Sequence, residues 1–161
     1  MTIQVGDKLP SVTLTKATEN GPDQVQSDEF FAGRKVALFS VPGAFTPTCS
    51  ARHLPGFVDK LDELKGKGVD EVACTAVNDA FVMGAWAKQS GAEGKVTMLA
   101  DGSGEFAKAV GLDADFSKFG MGTRGQRYVM LVDDGTVTQL HVEQPGEFKV
   151  SSAEHLLSQL K

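Results

Sequence analysis

The sequence predicts an α/β fold in which helices flank a mixed central sheet. Three short apolar runs alternate with helical patterns, an order typical of parallel strands joined by helices. Two later apolar runs flank Asp133-Asp134-Gly135, a hairpin signal, so we expect the sheet to become antiparallel there. The 161 residues suit a single domain that spans residues 1–161.

The first half of the chain begins with a polar segment and continues with one strand and one helix. Residues before position 34 are rich in Gly, Pro, Asp, Glu and Thr, which indicates irregular structure or a short hairpin. Residues 36–39 are apolar throughout, as expected of a strand that is buried on both faces. Apolar residues at helical spacing predict a helix over 54–64 that ends near Gly66.

The second half repeats this alternation and then changes to a hairpin and a final helix. Residues 113–126 have neither pattern, so we expect a loop there. Ser151-Ser152 is expected to cap the last helix, on which Leu156, Leu157 and Leu160 share one face. The other predicted elements are, in chain order, a strand over 71–77, a helix over 79–90, a strand over 96–100, a helix over 105–110 and strands over 127–132 and 137–142.

The charge balance argues against two classes of partner. Sixteen Lys and Arg residues stand against 21 Asp and Glu residues, which gives a formal net charge of −5. A chain with this excess of negative charge is not expected to bind nucleic acid or an anionic membrane.

Residues 1–10 show neither the basic nor the apolar region of a targeting signal. We therefore expect a cytoplasmic protein, with a mature organellar form as the alternative.

The chain has two cysteines, Cys49 and Cys74, and no C-x-x-C motif. The two cysteines lie 25 residues apart and have no pair of histidines nearby, which argues against a tetrahedral zinc site. Two cysteines are also too few for a scaffold held by several disulfides. Structural thiols, one disulfide or redox chemistry remain, and no metal or bound cofactor is expected.

Cys49 lies where α/β proteins place reactive groups, just beyond the carboxyl end of a strand. Thr46 suits the N-cap of the following helix, and Pro47 suits its first position. Cys49 then falls in the first helical turn, where unpaired N–H groups and the helix dipole favour a thiolate. The alternative is that Cys49 is a small apolar residue that packs the helix start.

Arg52 and His53 follow three and four residues after Cys49, so both can lie beside the thiol on the helix. Either can add positive charge near the sulfur. A cysteine–histidine hydrolase pair is disfavoured, because such bases are not normally held four residues away on one helix. We expect His53 on the surface, or behind the site as a support for its residues.

The spacing Pro42-x-x-x-Thr46-x-x-Cys49 resembles the active-site signature of the peroxiredoxins. The full segment P-G-A-F-T-P-T-C-S resembles the type II, peroxiredoxin-5-like branch of that family. Segments at 77–86 and 122–128 also resemble this branch, and the likeness extends over most of residues 35–160. The resemblance implies a thioredoxin-like fold.

The resemblance also implies roles for individual residues. Cys49 resembles the peroxidatic cysteine, whose thiolate attacks a peroxide oxygen and becomes a sulfenic acid. Thr46 resembles the threonine whose hydroxyl contacts the peroxide and the thiolate, and Pro42 the proline that shields the pocket. Arg127 occupies the position of the family's active-site arginine, with Arg124 as its rival for that role and otherwise a support behind the site.

The implied activity is that of a thiol peroxidase acting on hydrogen peroxide and small alkyl hydroperoxides. Electrons would come from thioredoxin, or from glutathione with glutaredoxin, and the family precedent implies a homodimer. Two other functions remain open on the sequence. One is a redox sensor that signals through Cys49 oxidation, and the other is a thiol–disulfide oxidoreductase, which the missing C-x-x-C disfavours.

Cys74 has two interpretations. It is either a buried core thiol in the strand predicted over 71–77, or the resolving cysteine found 25 residues after the peroxidatic position in some members of the branch. A disulfide between a strand and a helix start requires local unwinding, which Pro55 would ease.

Phe45 and Phe119 are candidates for the pocket mouth or a dimer face, with the apolar core as the alternative.

Overall fold

The computed structural model describes residues 2–160, and a seven-stranded mixed sheet forms its centre. The strand order is β2-β1-β5-β4-β3-β8-β9. Along the chain the strands are β1 (Thr13–Thr18), β2 (Gly21–Gln26), β3 (Lys35–Ser40), β4 (Glu71–Ala76), β5 (Thr97–Ala100), β6 (Asp113–Asp115), β7 (Thr123–Gly125), β8 (Tyr128–Asp133) and β9 (Thr136–Val142). β6 and β7 pair in a separate small sheet.

Six short α-helices and two irregular turns lie between or after these strands in the described residues. A π-helical turn at Cys49–His53 precedes α2, and a 3₁₀ turn at Ser117–Phe119 lies between β6 and β7. The helices are α1 (Ser27–Phe30), α2 (Leu54–Asp59), α3 (Leu61–Gly66), α4 (Ala80–Gln89), α5 (Glu105–Ala109) and α6 (Ala153–Ser158). In the part of the chain that is described, no helix combines the length and the apolar character needed to span a bilayer.

The pairing pattern confirms the predicted mixed sheet. β3, β4 and β5 are parallel, as expected for strands joined by helices. β8 then pairs antiparallel with β3, and β9 with β8. The hairpin turn has positive φ angles at Asp134 (50°) and Gly135 (79°), the type I′ geometry that matches the twist of the flanking strands.

The core has two layers, one on each face of the sheet. Because successive residues of a strand point to opposite faces, Phe39 joins one layer and its neighbour Leu38 joins the other. The first layer contains Cys49 and Cys74 and packs under α2, α4 and α6, and we call it the cysteine face. The opposite layer includes Tyr128. Burial on both faces explains why residues 36–39 are apolar throughout.

The short hairpin expected before residue 34 is confirmed, since β1 and β2 pair antiparallel. This hairpin also extends the central sheet, because β1 pairs with β5, a contact between distant segments that no local pattern reveals. Two other local predictions need correction. The predicted loop over 113–126 contains β6, β7 and the 3₁₀ turn, whose strands are three residues long and lack an apolar run. The single helix predicted over 54–64 is divided at Lys60, where φ is −99° and ψ is 8°.

The final helix begins as predicted. The Ser152 hydroxyl accepts a hydrogen bond from the backbone N–H of His155, at 3.0 Å. This N-cap satisfies one of the free N–H groups of the first turn. Leu156 of α6 is fully buried on the cysteine face, and Leu157 and Leu160 pack against the same layer.

Candidate active site

The segment that joins β3 to the next helix forms a tight loop at the carboxyl end of a central strand. Helical structure begins at Pro47, and the N–H of Ser50 donates to the carbonyl of Thr46 at 2.9 Å, as expected when Thr46 precedes the first turn. The Thr46 hydroxyl, however, donates to the carbonyl of Gly43 at 2.6 Å. The hydroxyl therefore fixes the loop instead of capping the helix as expected.

The loop is also held from both sides. The N–H of Ala44 donates to the Asn78 side chain at 2.9 Å, just beyond the end of β4. A Cβ atom on Gly43 would lie 3.0 Å from a guanidinium nitrogen of Arg124 and 3.2 Å from the Thr46 methyl group, so a larger residue there would require these side chains to shift. Phe45 adopts a left-handed conformation with φ of 67°. Such strain in a residue other than glycine is typical of segments constrained by their surroundings.

Cys49 opens the π-helical turn, in which the N–H of Leu54 donates to the carbonyl of Cys49 five residues earlier. We attribute the wide turn to Pro55, which has no N–H and whose ring would clash with the Ala51 carbonyl in a regular α-helix. Turns of this kind are frequent at functional sites. The Cys49 side chain is fully buried, so the sulfur faces the sheet.

Arg127 precedes β8 and reaches the sulfur of Cys49. Because β8 runs antiparallel to β3, with Tyr128 opposite Ser40, the start of β8 lies beside the end of β3. A guanidinium N–H of Arg127 donates to the Cys49 Sγ at 3.0 Å. This contact places a fixed positive charge directly against the sulfur.

Arg124, the rival of Arg127, lies behind the loop. Its Nε–H donates to the Met121 carbonyl at 2.9 Å and its Nη1–H to the Pro42 carbonyl at 3.3 Å. These contacts fix Pro42 from the side of β7. The structure thus brings Arg127, not Arg124, into contact with the sulfur.

His53 is fully buried, so the expectation that it lies on the surface is wrong and the expectation that it supports the site is the one that fits. The π-helical turn directs its ring inward, where its Nδ1 lies 2.9 Å from a guanidinium nitrogen of Arg127. Its Nε2 lies 2.9 Å from the carbonyl of Ser151. A carbonyl only accepts, so Nε2 carries the proton, and Nδ1 accepts from the guanidinium.

Electrostatics supports this neutral form of His53. Burial, and secondarily the charge of Arg127, lower the pKa of His53 from 6.5 to about 3. The ring is therefore uncharged at neutral pH. It contacts Arg127 as an acceptor, which leaves it unsuited to act as a base for Cys49.

Cys74 lies in the middle of β4, opposite Phe39 of β3 and Met98 of β5. It is fully buried on the same face as Cys49, and both cysteines are free thiols. Burial first, and then the nearby Cys49, raise the pKa of Cys74 well above its ordinary value. In this conformation Cys74 is a protonated core thiol.

Two features of the site have no counterpart in the sequence predictions. The indole N–H of Trp86 on α4 donates to the hydroxyl of Ser50 at 3.0 Å, which ties the turn that carries Cys49 to the neighbouring helix. Glu143, just after β9, accepts hydrogen bonds from the backbone N–H groups of residues 149–151. Trp86 lies in the segment 77–86, whose resemblance to the family implies no role for the indole.

Three exposed phenylalanines lie on segments that contact the loop. Phe45 is 46% exposed and Phe119 is 69% exposed, so neither is a core residue. Phe81, near the start of α4, is 74% exposed and was not singled out in the sequence.

Within residues 2–160, no group of three or more His, Cys, Asp or Glu side chains is arranged to hold a metal ion.

The chain is similar to several known proteins. The Redoxin family pattern matches residues 4–157. The chain is 50% identical to Peroxiredoxin-2B of Arabidopsis thaliana, over 98% of each chain, and 49% identical to the chloroplastic Peroxiredoxin-2E of the same plant, over 98% of this chain and 69% of that one.

Solved structures of similar proteins share the fold. A reduced Prx3 from Vibrio vulnificus in complex with hydrogen peroxide superposes with a TM-score of 0.95 and 51% identity, covering 99% of this chain and 100% of that one. Peroxiredoxin 5 from Alvinella pompejana gives a TM-score of 0.84 at 36% identity, covering 97% of this chain and 96% of that one.

Lowering the pH is expected to destabilise the protein in part through His53. Its pKa is about 3 when folded and near 6.5 when unfolded, so the unfolded chain binds more protons between these values. The free energy of unfolding therefore falls as the pH drops from 6.5 toward 3, by about 2 kcal/mol from this residue between pH 7 and pH 5. Urea unfolding at both pH values measures this loss.

The matched variant is His53→Gln, which keeps an N–H donor toward Ser151 and does not titrate. Its loss of stability between pH 7 and pH 5 is expected to be smaller than that of the wild type. Equal losses in the two proteins would contradict the assignment of a buried, neutral His53.

Proposed function

The chain belongs to the peroxiredoxin family and is a thiol peroxidase, and we propose that it reduces hydrogen peroxide and small alkyl hydroperoxides through a sulfenic acid on Cys49. The observation that carries this proposal is the hydrogen bond of 3.0 Å from the Arg127 guanidinium to the Cys49 sulfur. A buried sulfur beside a fixed cation has the environment of a reactive thiolate.

In the proposed reaction, the Cys49 thiolate attacks the terminal oxygen of the peroxide. An S–O bond forms while the O–O bond breaks, and the leaving alkoxide or hydroxide takes up a proton to become an alcohol or water. The sulfur is oxidised to the sulfenic acid and the peroxide is reduced. Arg127 stabilises the negative charge as it moves from sulfur to the leaving oxygen.

Thr46 and Pro42 would shape the place where the peroxide binds. The Thr46 hydroxyl donates to the Gly43 carbonyl, so its oxygen has a free lone pair directed by the loop. We propose that this oxygen accepts a hydrogen bond from the peroxide, while Pro42, whose carbonyl is held by Arg124, shields the pocket. The full burial of Cys49 favours small peroxides over bulky ones.

Regeneration of the thiol requires two electrons from thiol donors. A first thiol condenses with the sulfenic acid to give a mixed disulfide and water, and a second thiol releases Cys49 as a thiol. Thioredoxin, or glutathione with glutaredoxin, would supply these thiols. We propose that the donor attacks Cys49 directly, because Cys74 lies inside a strand that is hydrogen-bonded on both sides.

The proposed assembly is a homodimer that uses the three exposed phenylalanines. Phe45 belongs to the loop next to Cys49, and the Ala44–Asn78 hydrogen bond joins this loop to the segment that leads to Phe81. Phe119 follows Phe116, whose N–H donates to the Gly122 carbonyl near the same loop. Large apolar side chains that are exposed are typical of an interface, and a second copy of the chain is the partner that we propose.

The compartment is not fixed by the relatives, which include proteins named as chloroplastic. The cytoplasmic location expected from the sequence therefore stays a prediction.

Replacing Cys49 with serine is expected to abolish peroxide reduction, since the nucleophile is lost. Arg127→Gln is expected to slow oxidation of Cys49 roughly 10²- to 10³-fold, because the neutral amide cannot stabilise the developing charge. Stopped-flow fluorescence measures the rate, because Trp86 is the only tryptophan and contacts the residue after Cys49. Peroxide consumption gives an independent readout.

The matched control is Arg34→Gln, which removes an arginine that pairs with Glu71 at the far end of the sheet. Its oxidation rate is expected to equal that of the wild type. An Arg127→Gln protein that reacts at the wild-type rate would overturn the proposed role of the guanidinium.

Removing the second thiol with Cys74→Ala is expected to leave turnover unchanged with both the thioredoxin and the glutaredoxin systems. Alanine is the better test, because a serine hydroxyl would be buried there without a partner. Coupled assays with the two donor systems run in parallel measure turnover. Loss of turnover with either system, together with a Cys49–Cys74 disulfide found by mass spectrometry, would instead make Cys74 the resolving residue.

Phe81→Asp is expected to convert the proposed dimer to a monomer, because a carboxylate would be buried at the interface without a partner. Sedimentation velocity measures the change. Gln89→Asp adds the same charge at the exposed end of α4 and is expected to leave the dimer intact. A wild-type protein that sediments as a monomer would contradict the proposed assembly.

A further inference from the structure

One buried carboxylate gathers the backbone of the segment that precedes α6. Glu143 is only 7% exposed and forms no ion pair in the described residues. Its carboxylate accepts hydrogen bonds from the N–H groups of Lys149, Val150 and Ser151 at 2.7 to 2.9 Å. The Ser151 hydroxyl adds a fourth donor at 2.7 Å. Four donors on one carboxylate fix the position of this segment.

The segment held by Glu143 is connected to the catalytic sulfur through three further hydrogen bonds. The Ser151 carbonyl accepts from His53, His53 accepts from the Arg127 guanidinium, and the guanidinium donates to Cys49. Each bond is 2.9 or 3.0 Å long. The position of the Ser151 carbonyl therefore determines which nitrogen of His53 is protonated and where its acceptor lies.

Glu143 also holds Arg127 at its other end. The backbone N–H of Glu143 donates to the carbonyl of Arg127 at 3.0 Å. One residue therefore fixes the main chain of Arg127 directly and its guanidinium through Ser151 and His53. This closed ring of contacts leaves the long side chain of Arg127 few alternative conformations.

We propose that Glu143 is a positioning residue of the peroxidase, which aims the Arg127 guanidinium at the Cys49 sulfur through Ser151 and His53. This inference rests on the proposed function of Cys49 and Arg127 and extends it to a residue that does not touch the substrate. Glu143 has no contact with the sulfur, so its effect on the reaction passes entirely through Arg127.

The chemistry of the site requires a carboxylate rather than an amide. Burial by itself raises the pKa of Glu143. The hydrogen bonds from the N–H groups of residues 149–151 and from the Ser151 hydroxyl together lower this pKa by more, so the net shift is downward. Glu143 is thus ionised at neutral pH and offers only acceptors to its four donors. A glutamine would present an NH₂ group to backbone N–H groups, and part of the network would break.

The test is the variant Glu143→Gln, made in a Cys74→Ala chain so that Cys49 is the only thiol. The rate of Cys49 oxidation by hydrogen peroxide is expected to fall roughly 10- to 100-fold, because small misplacements of a catalytic group cost this much. The pH profile of Cys49 alkylation by iodoacetamide is expected to move to higher pH, because the thiolate loses its aligned cation. A carboxylate that only stabilises the fold would lower the melting temperature without moving this profile.

A double-mutant cycle shows whether Glu143 acts through Arg127. In an Arg127→Gln chain, Glu143→Gln is expected to cause no further loss of rate, since the guanidinium that it aims is absent. Equal fold losses in the presence and absence of Arg127 would overturn the proposal. An unchanged rate and an unchanged alkylation profile in Glu143→Gln would overturn it as well.

Two further variants keep the test decisive. Glu147→Gln removes a glutamate of the same segment that pairs with the Lys149 amine at the surface, and it is expected to behave as the wild type. If Glu143→Gln does not fold, Ser151→Ala removes one of the four donors and is expected to give a smaller loss in the same direction. The alkylation profile needs no peroxide, so it tests Glu143 even if the wild type fails to reduce peroxides, a result that would overturn the proposed function alone.

Discussion

The contact between the Arg127 guanidinium and the Cys49 sulfur is the interaction on which the rest of the site depends. A fully buried sulfur cannot be stabilised as an anion by water, so a fixed cation must replace the solvent. The fold supplies that cation by placing β8 antiparallel to β3, which brings the start of one strand beside the end of the other. A parallel strand at this position would put Arg127 at the opposite edge of the sheet.

A half-buried guanidinium in turn needs acceptors, and His53 provides one of them. An imidazole serves only while it is neutral, since a second cation would repel Arg127 and could not accept its hydrogen bond. The burial of His53 keeps its pKa near 3, and the Ser151 carbonyl holds the proton on Nε2. The burial that removes water from around Cys49 thus also keeps His53, the partner of the Arg127 cation, in its neutral form.

The sequence predicted the parts of this structure that depend on neighbours along the chain. The apolar residues 36–39 correctly predicted a strand that is buried on both faces. Asp134-Gly135 correctly predicted the hairpin turn, and Pro47 the start of the helix. The burial of His53 was missed because counting residues along a regular α-helix does not anticipate the π-helical turn before Pro55. The bonds from Glu143 to the backbone of residues 149–151 were missed because they have no periodic pattern.

The hydrogen bond from Arg127 to Cys49 also has a consequence for how the turn would open in the proposed reaction. Once the proposed sulfenic acid forms, the sulfur is neutral and the charge that bound the Arg127 guanidinium has gone. The turn then depends on weaker contacts, such as the hydrogen bond from Trp86 to Ser50, in a π-helical segment that lacks regular α-helical bonding. Arg127 keeps its acceptor on His53, so in the proposed reaction the arginine would stay in place if the oxidised turn moved. Loss of this charge pair would then help to expose the oxidised sulfur to the proposed thiol donor.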